Sequence, residues 1–153
     1  MRPASAYEWS VRVVGRAEHA SAQAFVRTRQ FDVDSALSFD AAYPAVTALE
    51  YVLGAVGGDL AAGLRDAARR RRFALDGLEC VVTAELENAL AHLGVIGEAG
   101  TPAIARLRVR VYASAPEAPP GQLLEAWREA LARSPLAHTF ARLARFEPEL
   151  TEV

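Results

Sequence analysis

The chain has 153 residues, enough for one domain with a sizeable core, and its net charge of -2 offers no general attraction to nucleic acid or to an anionic membrane. A single cysteine, Cys80, excludes an intrachain disulfide and a multi-cysteine metal site, and His19, His92 and His138 lack the close pairing of a zinc motif, so no metal and no cofactor is expected. All 17 basic residues are arginine, which with the abundant Ala and Gly reads as codon bias and not as function.

The N-terminal stretch MRPASAYEWSVRV has no apolar h-region, and a cytoplasmic protein is expected. Tyr7 to Val14 alternates, with Tyr7, Trp9, Val11 and Val13 on one side and Glu8, Ser10 and Arg12 on the other, the pattern of a strand with one wet face. Gly15-Arg16 suits a turn, and Ala17 to Arg27 and Gln30 to Val33 read as two less regular strands. Arg27, Arg29 and Asp32 sit there as candidate site residues, with a solvated face as the simpler reading.

Ser35 to Tyr43 is a polar link into the stretch Ala41 to Arg72, which reads as one long helix, apolar on nearly every face, with Pro44 in its first turn and Arg69 to Arg72 in its last. Glu50 and Asp59 argue against a membrane span, and burial within a domain is the better account. Gly54, Gly57, Gly58 and Gly63 each cost up to about 1 kcal/mol relative to Ala inside a helix, so close approach of another backbone is expected along this element. Asp59 follows the Gly pair in an apolar stretch and needs a hydroxyl or an Arg beside it.

Phe73 to Glu87 reads as a strand with Leu75, Leu78, Cys80, Val82 and Ala84 on one face, which places Cys80 with core residues as an inert thiol. Asn88 to Pro102 is a Gly-rich loop with one short turn. Ala103 to Ala113 alternates Leu107, Val109 and Val111 against Arg106, Arg108 and Arg110, whose natural partners are Glu85 and Glu87 of the neighbouring strand. Gln122 to Arg133 is an amphipathic helix, Ser134-Pro135 starts a second over Leu136 to Leu143, and Ala144 to Val153 reads as a last strand. The order is βββ-α-ββ-αα-β, an α+β chain read as a single domain over 1–153.

Two stretches carry a resemblance. Val52-Leu53-Gly54-Ala55-Val56-Gly57-Gly58-Asp59-Leu60 matches a run of the form LLxALGGCL, and Ser134-Pro135-Leu136 matches Cys-Pro-Val at the start of a late helix. From the third strand onward the chain resembles the OsmC and Ohr family, the osmotically inducible and organic hydroperoxide resistance proteins. The resemblance implies an intertwined homodimer in which long helices pack on curved antiparallel sheets, with a small apolar ligand at the subunit interface. It also implies a reductase that attacks organic hydroperoxides with a thiolate on the central helix and resolves the product with a second Cys.

Here Asp59 stands at the attacking position and Ser134 at the resolving one. The family's Glu in an Asn-Pro-Glu helix start falls at Leu49, with Glu50 one residue away, a shift of about 100° around a helix. The expectation is therefore an OsmC-like stress-response protein without thiol peroxidase activity, which binds a small molecule or another protein through Asp59, Ser134, His138, Arg27 and Arg29. The Arg facing Asp59 is open among Arg12, Arg16, Arg27 and Arg29. The alternatives are residual hydroperoxide reduction through Cys80, and ester hydrolysis by Ser134, His138 and Asp59, since His138 lies one helical turn beyond Ser134. Nucleic-acid binding by Arg69 to Arg72 is opposed by the net charge and by their place at a helix end.

Overall fold

A computed structural model describes residues 7–153, so the start of the N-terminal stretch read above lies outside the described residues. The chain divides into two compact units, Met1–Val52 and Leu53–Val153, with the boundary inside the central helix.

In the first unit β1 (Arg12–Val14), β2 (Ala22–Val26) and β3 (Arg29–Val33) form an antiparallel sheet in the order β1-β2-β3. The first strand is shorter than its alternating pattern. Arg12 pairs with Phe25, and β2 turns back after Val26, so residues before Val11 have no strand to pair with. Trp9 is accordingly 85% exposed. Val26 pairs with Arg29, leaving Arg27-Thr28 as a two-residue turn, and Arg27 takes a left-handed φ of 53° where such hairpins favour glycine.

The central helix α1 (Ala48–Arg70) starts later than Ala41, and Pro44 lies before it. The reason is a capping box at Thr47. Its Oγ1 accepts from the Glu50 N-H at 3.3 Å, while the Glu50 carboxylate accepts from both the Thr47 N-H and its hydroxyl at 2.8 Å. Two further free N-H groups of the first turn, those of Ala48 and Leu49, donate to the carbonyls of Ser35 and Ala36 at 2.8 and 2.9 Å. The Thr47 backbone N-H, then its hydroxyl, hold the Glu50 carboxyl below the usual glutamate range. A depressed folded pKa gives stability that is present above the ordinary Glu value and lost as pH falls through the depressed one. Glu50→Gln should therefore lower the melting temperature at neutral pH, and the gap to the parent chain should close in acid melts.

Within the second unit α1 buries one stripe, Val56, Gly57, Leu60, Leu64, Ala67 and Ala68, and not most of its faces as the apolar composition suggests. The helix closes in a Schellman motif: the Phe73 N-H donates to the Ala68 carbonyl and the Arg72 N-H to the Arg69 carbonyl, both at 3.1 Å. Arg72 occupies the left-handed position with a φ of 63°. A non-glycine residue there costs about 1–2 kcal/mol.

The second sheet has the order β4-β5-β6, from β4 (Gly77–Leu86), β5 (Ile104–Ser114) and β6 (Arg145–Glu152). β4 and β5 are antiparallel, with a register shift at Glu85/Leu86 that brings Ile104 onto the same side as Leu107. Their connection holds one short helix, α2 (Ala89–His92), capped by the Asn88 side chain. β6 departs from the expected antiparallel pattern and runs parallel to β5. Two helices, α3 (Gln122–Arg133) and α4 (Pro135–Leu143), form the crossover that parallel pairing requires. Leu107, Val109, Val111 and Ala113 of β5 are fully buried and share one core with Leu60 and Leu64 of α1 and with Leu123, Ala126 and Trp127 of α3.

The arginines of β5 are ion-paired, partly as expected. Glu85 meets Arg106 at 3.5 Å and Arg108 at 3.1 Å, but the second partner is Glu147 of β6, 3.2 Å from Arg108. Glu87 accepts instead from the Thr101 hydroxyl at 2.7 Å.

Candidate functional site

The residues at the two matched motifs meet. Ser134 is the N-cap of α4, with extended backbone at φ -76° and ψ 116°, and its Oγ accepts from the Ala137 N-H at 2.9 Å. The same hydroxyl donates to Asp59 Oδ2 at 2.5 Å, across 75 positions of sequence. Asp59 Oδ2 also accepts from the Leu136 N-H at 3.2 Å. Pro135 has no N-H, so the first turn of α4 presents two free donors ahead of His138, and Asp59 takes one while Ser134 takes the other. Ser134 is 3% exposed and Asp59 half-buried, so the carboxylate stands at the positive end of the helix dipole in a partly dry site.

This geometry restricts the chemistry. The Ser134 proton is held by a carboxylate, which as an acceptor-only group orients the hydroxyl and leaves it no nearby imidazole. His138 is exposed, and its Nε2 lies 2.9 Å from the Ala132 carbonyl, so that ring nitrogen donates to backbone and not to Ser134. The three side chains of the hydrolytic alternative therefore do not form a relay. Its weakness lies in geometry the spacing alone hides: one helical turn brings His138 to the same side, but its ring reaches back to the end of α3.

Leu49 is half-buried in the first turn of α1, and Glu50 is held in the capping box. Arg27 and Arg29 are exposed in the β2–β3 hairpin, and among the described residues of that unit neither is in an ion pair. Arg12 stacks on the Phe25 ring, 4.6 Å from its centroid.

Cys80 is half-buried on β4 and not in the fully enclosed core. It lines a cavity of about 350 Å³ with Leu53, Gly54, Gly57, Gly58 and Val82. A Cβ on Gly57 would lie 3.3 Å from Cys80 Sγ and 3.0 Å from Val82 Cγ2, so this glycine is required by contact with β4. Burial pushes the Cys80 thiol pKa up, which keeps it in the protonated, weakly nucleophilic form.

The C-terminal arginines of α1 are divided. Arg70 and Arg71 pair with Glu129 of α3 at 2.9 and 3.3 Å, and Arg133 joins them at 3.2 Å. Burial acts to raise the Glu129 pKa, but the Arg70 hydrogen bond and the three positive charges outweigh it and hold the carboxyl below its usual range. The role of Glu129 was not visible in the sequence, because Arg70 and Arg71 lie on another helix and only Arg133 is at local spacing.

No protein-family model matches the sequence. No curated protein matches it either. Solved structures do. An OsmC-like protein from Mycoplasma pneumoniae superposes with a TM-score of 0.75 at 15% identity, covering 95% of this chain and 97% of its own. An OsmC-like protein of unknown function from Vibrio cholerae gives 0.72 at 12% identity, over 94% of this chain and 99% of its own. The organic hydroperoxide resistance protein OhrB of Bacillus subtilis gives 0.60 at 12% identity, over 94% and 98%. With two three-stranded sheets and four helices among its described residues, the chain has the OsmC-like fold.

Proposed function

We propose that this chain, read as one OsmC-like domain over 1–153, is a cytoplasmic member of the OsmC and Ohr family. In this reading it has left the thiol peroxidase cycle and serves stress response as a dimeric binding protein. The observation that carries this reading is the Asp59–Ser134 hydrogen bond. At the positions where the resemblance puts an attacking and a resolving cysteine, a carboxylate and a hydroxyl hold each other and cap a helix. Neither can form a sulfenic acid or a disulfide, so the redox cycle has no atoms to run on.

Two features support the dimer. Among the described residues, and apart from the backbone of α1 itself, Gly54 and Gly58 have no atom within 4 Å of where a Cβ would stand, so no packing contact seen there explains them. They are four residues apart on one face of α1, which suits close crossing by the helix of a second copy. In addition, Tyr7, Trp9, Val11 and Val13 are all more than half exposed, an apolar set that a second copy would cover. The cavity beside Gly54, Gly58 and Cys80 is the place for a small apolar ligand at that interface.

The test is consumption of cumene hydroperoxide by the purified protein with dithiothreitol or dihydrolipoamide as reductant, beside a Cys80→Ser control. No turnover above the control is expected. Turnover that disappears with the Cys80 thiol would replace this reading by a peroxidase whose chemistry has moved to β4.

A further inference from the structure

The last turns of α1 and the start of β4 border an open cavity of about 710 Å³, a volume usual for small-molecule sites. Phe73, Leu75 and Leu78 supply apolar wall, and Arg65, Arg69 and Arg72 line the rest. Arg69 is paired with Asp66 at 2.6 Å in an exposed contact. Among the described residues, Arg65 and Arg72 have no carboxylate within 4.0 Å, unlike Arg70 and Arg71, which Glu129 holds.

Cations at a helix C-terminus are ordinarily explained by the dipole. That explanation covers Arg69 to Arg71 but not Arg72, which sits at the left-handed position of the Schellman motif, where glycine would be free of strain. Nor does it cover Arg65, more than a turn earlier and on the same side. A strained non-glycine residue whose side chain lines a cavity points to use of that side chain.

We propose that this cavity binds an apolar monocarboxylate, its head held by Arg65 and Arg72 and its hydrocarbon laid over Phe73, Leu75 and Leu78. Each guanidinium offers a planar pair of donors that matches a carboxylate. The cavity lies beside the last turn of α1, where the helix dipole opposes negative charge, so one ligand charge is better matched than the two of a phosphate monoester. The inference goes beyond the binding-protein reading above: this cavity shares no lining residue with the one beside Gly54, Gly58 and Cys80 and is a second site.

Calorimetric titration of the full chain with decanoate, decylamine, decanol and acetate tests it, with Arg72→Gly, Arg65→Gln and the exposed control Arg142→Gln. Decanoate should bind at least about tenfold tighter than the other three probes. Arg72→Gly and Arg65→Gln should each weaken it about tenfold, the effect of losing one charge-assisted contact. Arg142→Gln should leave it unchanged. Because Arg72→Gly also relieves backbone strain, its melting temperature should not fall, which separates lost binding from lost folding. Equal binding of decanoate and decanol, untouched by either substitution, would overturn the anion site and leave the binding-protein reading standing. Binding of no probe would likewise overturn this site, while the reading above stands or falls on the hydroperoxide assay. A change in oligomeric state with Arg65→Gln would assign the cavity to a second copy and overturn the ligand.

Discussion

Leucine at both Gly54 and Gly58 is expected to yield a folded monomer. Among the described residues, and apart from the helix's own backbone, no atom lies within 4 Å of a Cβ added at either position, and both glycines border open space. Each replacement removes a glycine from a helix interior and so favours α1 by roughly 0.8–1 kcal/mol. A crossing by a second α1 would not accommodate either side chain. The parent protein should run at twice the mass of its chain in light scattering, and its melting temperature should rise with concentration, as mass action requires. The doubly substituted protein should run at one chain mass with a concentration-independent melt. Persistence of the dimer would place the interface away from this face. Gly57→Leu provides the contrast: its side chain would collide with Val82 and Cys80, costing about 1–3 kcal/mol in any oligomeric state.

The glycines show how far the sequence could be read. All four announce a close approach, and the announcement holds within the chain for Gly57 against β4 and for Gly63, whose Cβ position lies 3.4 Å from Ala130 of α3. Nothing in their identity separates these two from Gly54 and Gly58, because the difference lies in what packs alongside. Periodicity located β5 and α3 within a residue, since each has one buried face that fixes its extent. It failed for β1, where the alternating side chains continue but the partner strand ends. The start of α1 was set by polar chemistry, Thr47 with Glu50, more strongly than by the apolar content that precedes it. The parallel placement of β6 depends on the crossover through α3 and α4, a topological fact with no local signal.

The site was legible in a similar measure. Ser134-Pro135 identifies a cap from residue type alone, and the need of Asp59 for a hydroxyl follows from its apolar surroundings. What spacing could not supply is that Asp59 also takes the Leu136 N-H, which makes the pair one capping device and not two neighbouring polar groups.

That joint role sets the second large effect. Ser134→Ala removes the acceptor for the Ala137 N-H, a loss of about 1 kcal/mol for an N-cap, and leaves the half-buried Asp59 carboxylate without its hydroxyl donor, adding about 1–2 kcal/mol. Asp59→Ala leaves the Leu136 N-H and the Ser134 hydroxyl without their acceptor, for a loss of about 2 kcal/mol. Asp59→Asn retains an acceptor but not the charge at the helix N-terminus, so it should cost less than Asp59→Ala, by about 1 kcal/mol. In the double alanine variant each partner's absence removes part of the penalty of the other, and denaturant melts should show a total smaller than the sum of the singles by about 1 kcal/mol or more. Strict additivity would mean that the bond between these side chains carries no energy, and that the two positions persist for separate reasons. A clear coupling would mean that a hydrogen-bonded pair now ties α1 to α4 at the positions the resemblance assigns to a redox couple, a structural link in place of a catalytic one.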